Sequence, residues 1–176
     1  MKEIIILRYG HRHVRDFRVT SHCCLVARAL GAKGIVICGE EDKKLVNSIK
    51  RVVRKWGGNF KIKFTNDWKK IIKIYSKKGF KSIHLTMYGQ PIQDEIKELC
   101  KLNKVLIIIG SQKVEKGIYL KSNYNISITQ QPHSEIAALS ITLHELFEGK
   151  ELNKKYSNAK INIIPQKKGK KTKKVD

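Results

Sequence analysis

The chain has 176 residues, of which 37 are Lys or Arg and 15 are Asp or Glu, leaving a formal charge of +22. That excess goes beyond what solubility needs and points to a polyanionic partner, most simply nucleic acid. At 41% hydrophobic and 30% charged, the sequence is neither disordered nor fibrous, and its length suits one domain with a sizeable core.

In chain order, short aliphatic runs alternate with amphipathic stretches. Strand-like segments are Glu3–Arg8, Gly34–Gly39, Lys61–Thr65, Ser82–Met87, Val105–Gly110, Gly117–Lys121, Ile126–Thr129 and Lys160–Ile164. Runs such as Gly34-Ile-Val-Ile-Cys38 and Val105-Leu-Ile-Ile-Ile109 are apolar on consecutive residues, as strands covered on both faces must be. Helix patterns lie between them. Thr20–Leu30 is the first, followed by Asp42–Trp56 with Leu45, Ile49, Val52, Val53 and Trp56 as its apolar stripe. Asn66 is the expected cap of Asp67–Lys78, and Pro91 opens Pro91–Leu102, where a missing N–H is harmless. His133–Phe147 is the last, with Gly149 placed to end it. Strands and helices alternating at this spacing predict an α/β fold with a mainly parallel sheet flanked by helices. One domain is expected over residues 1–166. Lys167–Asp176, with six lysines and only Val175 to bury, reads as a disordered basic tail.

The longest aliphatic run, Val105 to Ile109, is five residues, where a membrane span needs roughly twenty. Residues Met1-Lys2-Glu3 lead straight into a strand without the apolar core of a signal peptide, so a soluble cytoplasmic protein is expected. Cys23, Cys24, Cys38 and Cys100 form no C-x-x-C pair, which leaves neither a disulfide framework nor a zinc site and favours buried free thiols. His11 and His13 lack a carboxylate or cysteine to complete a ligand set, and no metal is expected.

Ligands of an open parallel sheet bind beyond the carboxyl ends of its strands. Three such ends carry small residues and amides: Thr86-Met87-Tyr88-Gly89-Gln90, Gly110-Ser111-Gln112-Lys113-Val114, and Gln130-Gln131-Pro132-His133-Ser134-Glu135. Any one of them, taken alone, reads as an ordinary strand-to-helix turn. No G-x-G-x-x-G or Walker pattern is present, which argues against a Rossmann dehydrogenase, a conventional Rossmann methyltransferase and a P-loop NTPase, and there is no G-x-S-x-G nucleophile elbow. The N-terminal segment is more informative. Four of the seven arginines, Arg8, Arg12, Arg15 and Arg18, fall within eleven residues, while lysine supplies most basic charge elsewhere. The guanidinium fork grips phosphate bidentately, so these four are candidate RNA contacts. His22, His133 and Glu135 stand at helix starts, where each also reads as a cap or dipole-compatible group.

The blocks Leu7-Arg-Tyr-Gly-His-Arg12, Arg15 through His22, Ala27-Arg-Ala-Leu-Gly-Ala32, His84-Leu-Thr-Met-Tyr-Gly89, Gly110-Ser-Gln-Lys-Val114 and Gln131-Pro-His-Ser-Glu-Ile-Ala-Ala-Leu139 follow one another over about residues 1–150. In that order they closely resemble the archaeal tRNA ribose 2'-O-methyltransferases that modify the T-loop cytidine at tRNA position 56. Those enzymes belong to the SPOUT class of S-adenosylmethionine-dependent methyltransferases.

The resemblance implies a C-terminal trefoil knot, a homodimer, tRNA as substrate and S-adenosyl-L-methionine as cofactor. It places the cofactor on Leu85, Thr86 and Gly89, on Gly110, Ser111, Gln112, Lys113 and Val114, and on Ile128, Thr129, Gln130, Gln131, Pro132, His133 and Ser134. His22 and Arg28 match the spacing of the class's N-x-x-x-x-x-R pattern, with His in place of Asn, and Glu135 stands where relatives carry Asn. Arg28 is then the first choice for activating the ribose hydroxyl. Arg15 or Arg18 would grip the target phosphate, with His22 and Glu135 as further catalytic candidates. A non-catalytic basic RNA-binding module is the alternative that charge alone supports. A nicotinamide enzyme is weaker for want of its glycine fingerprint.

Overall fold

Consecutive apolar residues require cover on both faces of a strand, and the computed structural model of the chain, which describes residues 2–110 and 113–175, supplies it. In chain order the elements are β1 (Glu3–His11), α1 (Phe17–Ala29), β2 (Gly34–Gly39), α2 (Lys43–Trp56), β3 (Lys61–Thr65), α3 (Trp68–Lys77), β4 (Lys81–Pro91) and α4 (Ile92–Leu99). There follow β5 (Lys104–Ile109), α5 (Lys116–Lys121), β6 (Tyr124–Ser127), α6 (Glu135–Phe147), a 3-10 turn at Lys150–Asn153, β7 (Ile161–Ile163) and β8 (Thr172–Lys174). The first six strands form one sheet in the order β3-β2-β1-β5-β4-β6, with every pairing parallel.

Strand alternation divides the core into two layers. Ile4, Ile6, Ile35, Ile37, Ile107 and Ile109 pack with residues of α1, α2, α4 and α6 on one face. On the other face Ile5, Leu7, Val36, Leu106 and Ile108 meet Trp68 and Ile72 of α3 and Ile118 of α5. The expected α/β architecture is therefore the observed one. No helix among the described residues is long and apolar enough to cross a membrane.

Several elements differ from the sequence reading. Gly117–Lys121, expected as a strand, lies within helix α5. Its Ile-Tyr-Leu run favours extended chain locally, but the parallel link from β5 to β6 must cross the sheet, and crossovers of that kind are usually helical. Ile118 is buried under Trp68, whose ring lies 3.1 Å from where a Cβ on Gly117 would stand, while Leu120 is exposed. The cap of α3 is Asp67 rather than Asn66, its Oδ1 accepting from the Lys70 N–H at 2.9 Å. The basic tail is not structureless: Thr172–Lys174 pairs antiparallel with Ile161–Ile163, Asn162 opposite Lys173. A main-chain bond from Val175 N to Lys160 O extends this pairing, and one from Lys160 N to Lys55 O fastens the hairpin to the end of α2. Composition could not show this, because hydrogen bonds between backbones, rather than side-chain burial, hold it.

Strand β4 runs past its expected end. His84 and Leu85 pair with Asn125 and Ile126, the register then breaks, and Gln90 and Pro91 return to pair with Ile126 and Ser127. Residues 86–89 thus bulge out around β6. At Gly89 an added Cβ would lie 2.5 Å from the Asn125 carbonyl and the Ile126 nitrogen, so only glycine permits this approach. Gly89→Ala is expected to lower stability by about 1–3 kcal/mol, the usual range for overpacking. Urea denaturation checks it.

Candidate functional site

A cavity of about 630 Å³ opens at the carboxyl ends of β1, β5, β4 and β6, bounded by the N-terminal ends of α1 and α6. Its walls are mixed. Leu85, Ile109, Val114, Ile126, Ile128 and Ala138 form apolar sides, and Arg8, His84, Thr86, Tyr119 and Glu135 supply polar groups. That volume and lining suit a ligand of nucleoside size.

Arg8 is the central polar residue. Ile4, Ile6 and Arg8 share one face of β1, so the strand's own alternation carries the guanidinium into the core, where it is 1% exposed. Its Nη2 lies 3.0 Å from Glu135 Oε1, and its Nη1 donates to the Tyr9 carbonyl at 3.2 Å. Its Nε is buried without a partner. Glu135 is partly exposed at the first turn of α6, and Ser134 caps that helix by accepting from the Ile136 N–H. A carboxylate there is favoured by the helix dipole as well as by Arg8.

His84 is buried on β4 with Nδ1 2.9 Å from Asn125 Oδ1, its ring packed edge-on against Tyr119 at 4.6 Å. Burial lowers its pKa, opposed by the Asn125 hydrogen bond, and its Nε2 has no partner. Orphaned nitrogens on Arg8 and His84, both cavity-lining residues, are what a polar ligand would satisfy.

The predicted site residues divide into those the cavity gathers and those it does not. Leu85, Thr86, Gly110, Val114, Ile128, Pro132, His133 and Glu135 line it, from all three predicted loops. Thr86 Oγ1 lies 3.2 Å from the Tyr119 hydroxyl, and Gly110 lies so close to Val114 that a Cβ would sit 2.1 Å from Val114 Cγ2. In the third loop Thr129 Oγ1 accepts from the Gln131 N–H at 3.3 Å, and His133 Nδ1 lies 2.7 Å from the Gln131 carbonyl. Thr129, Gln130, Gln131 and Ser134 are exposed beside the cavity rather than in its wall, as is Lys113, and Gly89 packs on β6. Ser111 and Gln112 lie outside the described residues.

Of the arginine cluster, Arg8, Arg12 and Arg15 reach the cavity and Arg18 stands exposed on α1. Arg12 is held to Asp16, its Nε 3.2 Å and its backbone N–H 3.0 Å from Oδ2. Burial works to raise the Asp16 carboxyl, but the Arg12 hydrogen bonds and charge outweigh it and hold the pKa below the usual value. His22 is exposed on α1.

Arg28, the first choice for hydroxyl activation, is not at this cavity. It sits three turns along α1, beside the amino ends of the strands: Lys33 N bonds Ile4 O and Ala32 N bonds Ala27 O nearby. Its Nη2 donates to the Gly57 carbonyl at 2.7 Å, and its guanidinium lies 4.9 Å from the centre of the Tyr156 ring. The Tyr156 hydroxyl in turn donates to the Arg28 carbonyl at 2.5 Å. Spacing alone could not separate a residue three turns along a helix from one at its start. The signal for Arg8 was present: a charged residue continuing the buried alternation of Ile4 and Ile6.

No group of three or more potential metal ligands occurs among the described residues. Cys23, Cys24 and Cys38 are buried free thiols, and burial pushes Cys23 up to about 12.

The α/β fold around this cavity is the one shared by SpoU-type methyltransferases. The A. aeolicus TrmH/SpoU tRNA modifying enzyme superposes with a TM-score of 0.66 over 86% of this chain and 77% of its own, at 16% identity. The SpoU methyltransferase AviRb from Streptomyces viridochromogenes, in complex with AdoMet, gives a TM-score of 0.63 at 14% identity, over 84% of this chain and 57% of its own. The family described as tRNA ribose 2'-O-methyltransferase, aTrm56, matches residues 56–173, and the chain belongs to it. A tRNA (cytidine(56)-2'-O)-methyltransferase from Pyrococcus horikoshii is 49% identical over 172 residues, 96% of this chain and 83% of that protein.

The buried histidine of the site predicts a pH dependence. Because the folded protein holds His84 neutral, with its pKa below 6.5, the unfolded chain binds more protons once pH falls under about 6.5. The contribution of this group to stability is therefore expected to be flat above that pH and to decline as pH falls below it. His84→Gln should shallow the decline, with burial of His11 supplying part of the remainder. Thermal melts across the pH range check both.

Proposed function

We propose that the protein methylates the ribose 2'-hydroxyl of cytidine 56 in tRNA, using S-adenosyl-L-methionine. Family membership over residues 56–173 carries the reading, and the cavity at three converging loops supports it. The residues present fit that cofactor. Leu85, Ile109, Val114 and Ile128 offer apolar walls for a flat base, and Thr86, Gly110, Pro132 and His133 complete the lining around it. When bound, the cofactor supplies an electrophilic methyl group on a positively charged sulfur.

This chain's own residues do the rest by positioning and proton transfer. Glu135 stands at the cavity wall as the acceptor for the 2'-hydroxyl proton, and Arg8 fixes its orientation through the 3.0 Å ion pair. Arg12 and Arg15, at the same mouth, receive the phosphate beside the target ribose. Arg18 and His22 lie further along α1, where they serve RNA or a second subunit.

The reading extends to a trefoil knot and a homodimer. The bulge of residues 86–89 around β6 supports the first. The second is supported by Leu25 and Ile141, which are 38% and 42% exposed on the adjoining helices α1 and α6. A tRNA substrate supports a cytoplasmic location.

Incubation with radiolabelled cofactor and unmodified tRNA is expected to give one alkali-resistant dinucleotide containing 2'-O-methylcytidine. No labelled ribose on any of several tRNAs would refute the activity. Glu135→Gln keeps an oxygen for Arg8 but removes the carboxylate, and should lower kcat by about 10²–10⁴ with little change in KM. Arg28→Ala should instead lose about 2 kcal/mol of stability while the folded fraction turns over normally. Single-turnover rates and urea melts on the two variants separate these outcomes.

A further inference from the structure

The net charge is not spread evenly. Residues 43–78, which span α2, β3 and α3, hold thirteen Lys and Arg against a single acidic residue, Asp67, a formal +12 of the chain's +22. All thirteen are exposed, and none pairs with a described carboxylate within 4.0 Å. By contrast, α4 carries Asp94, Glu95 and Glu98 against Lys97.

Topology gathers this charge along one border. β3 is the edge strand, α2 packs on one face of the sheet and α3 on the other. Ile62 and Phe64 turn toward the core shared with α2, leaving Lys61 and Lys63 exposed between two hollows. The hollow toward α2, about 620 Å³, is lined by Lys50, Arg54, Lys61 and Lys63. The hollow toward α3, about 350 Å³, is lined by four lysines, Lys33, Lys61, Lys63 and Lys78, and one carboxylate, Glu3.

We infer that the β3 edge, with the two lysine-lined hollows beside it, docks the phosphate backbone of tRNA at a part of the molecule away from the target nucleotide. Charge complementarity identifies the occupant. Uncompensated like charge at this density repels itself and is relieved by a polyanion with closely spaced phosphates. The choice of cation agrees. Eleven of the thirteen are lysine, a point charge suited to sequence-independent phosphate contact, whereas the cavity is lined by three arginines and no lysine. The position also agrees. β3 lies two strands from β1, and at about 4.8 Å per strand the edge is roughly 10 Å from the strand that carries Arg8 and about 19 Å from β4. One RNA molecule can therefore fill the cavity and lie along the edge together.

This inference takes its RNA from the proposed function, so its test is read by direct binding of unmodified tRNA rather than by methylation. Lys61→Glu/Lys63→Glu is compared with Lys97→Glu/Lys121→Glu, a pair of exposed lysines on α4 and α5 with the same loss of charge. The edge variant should bind tRNA at least about tenfold more weakly in 0.1 M salt, with the slope of log K against log salt reduced by about 1.5–2. The control should stay within about threefold. Thermal stabilisation by S-adenosylmethionine should be the same in both and in the parent. A second edge pair, Lys50→Glu/Arg54→Glu, guards against misfolding of the first. Equal weakening in edge and control variants would overturn the inference in favour of diffuse attraction. Unchanged binding in both edge variants would overturn it in favour of another acidic partner. Failure of methylation with intact edge-dependent binding would count against the activity alone.

Discussion

The guanidinium of Arg8 is taken out of water at the end of the central strand, and among the described residues Glu135 is the carboxylate paired with it, at 3.0 Å. A buried charge of this kind is tolerated only with a well-placed partner, and removing either member typically costs several kcal/mol. The pair therefore does more than line a cavity. It ties β1, near the start of the chain, to α6, near its end, and it sets how closely the N-terminus of that helix approaches the sheet. Gly110 and residues 128, 132 and 133 line the cavity beside the pair, and the lack of a side chain lets Gly110 lie against Val114 and Gly89 against β6.

Much of this was legible in residues. The consecutive apolar runs at Ile4–Leu7, Ile35–Cys38 and Val105–Ile109 required a doubly covered parallel sheet, and the carboxyl ends of those strands then located the ligand crevice. What was not legible were features set by tertiary contacts. Six residues from Lys116 to Lys121 are too few for a period to declare itself, and packing under Trp68 decided for helix. The β7–β8 hairpin is a backbone arrangement that side-chain composition does not encode. Motif spacing gave no sign of where along α1 Arg28 would stand, and the structure sets it away from the cavity with its guanidinium on Gly57 and Tyr156.

The two basic side chains are used differently across the molecule. Arginine concentrates where a planar fork must hold a carboxylate or phosphate at fixed geometry: Arg8 on Glu135 and Arg12 on Asp16. Lysine dominates the α2–β3–α3 border, where position along a backbone matters less than density of charge. A single figure for net charge conceals this division between local recognition and long-range attraction.

The Arg8–Glu135 link also bears on how the chain is made. β1 finds β2 within about thirty residues, but its other neighbour, β5, begins at Lys104, and its counter-charge arrives only with Glu135. During synthesis from the N-terminus, one border of the central strand and the Arg8 side chain must stay in contact with solvent until most of the chain has emerged. Pairings this distant in sequence slow folding and leave a strand edge open meanwhile. A hydrated arginine at the end of that edge disfavours its premature pairing with another chain, much as charged residues guard the edges of finished sheets. The residue that organises the cavity in the completed fold thus begins as a gatekeeper of the nascent one.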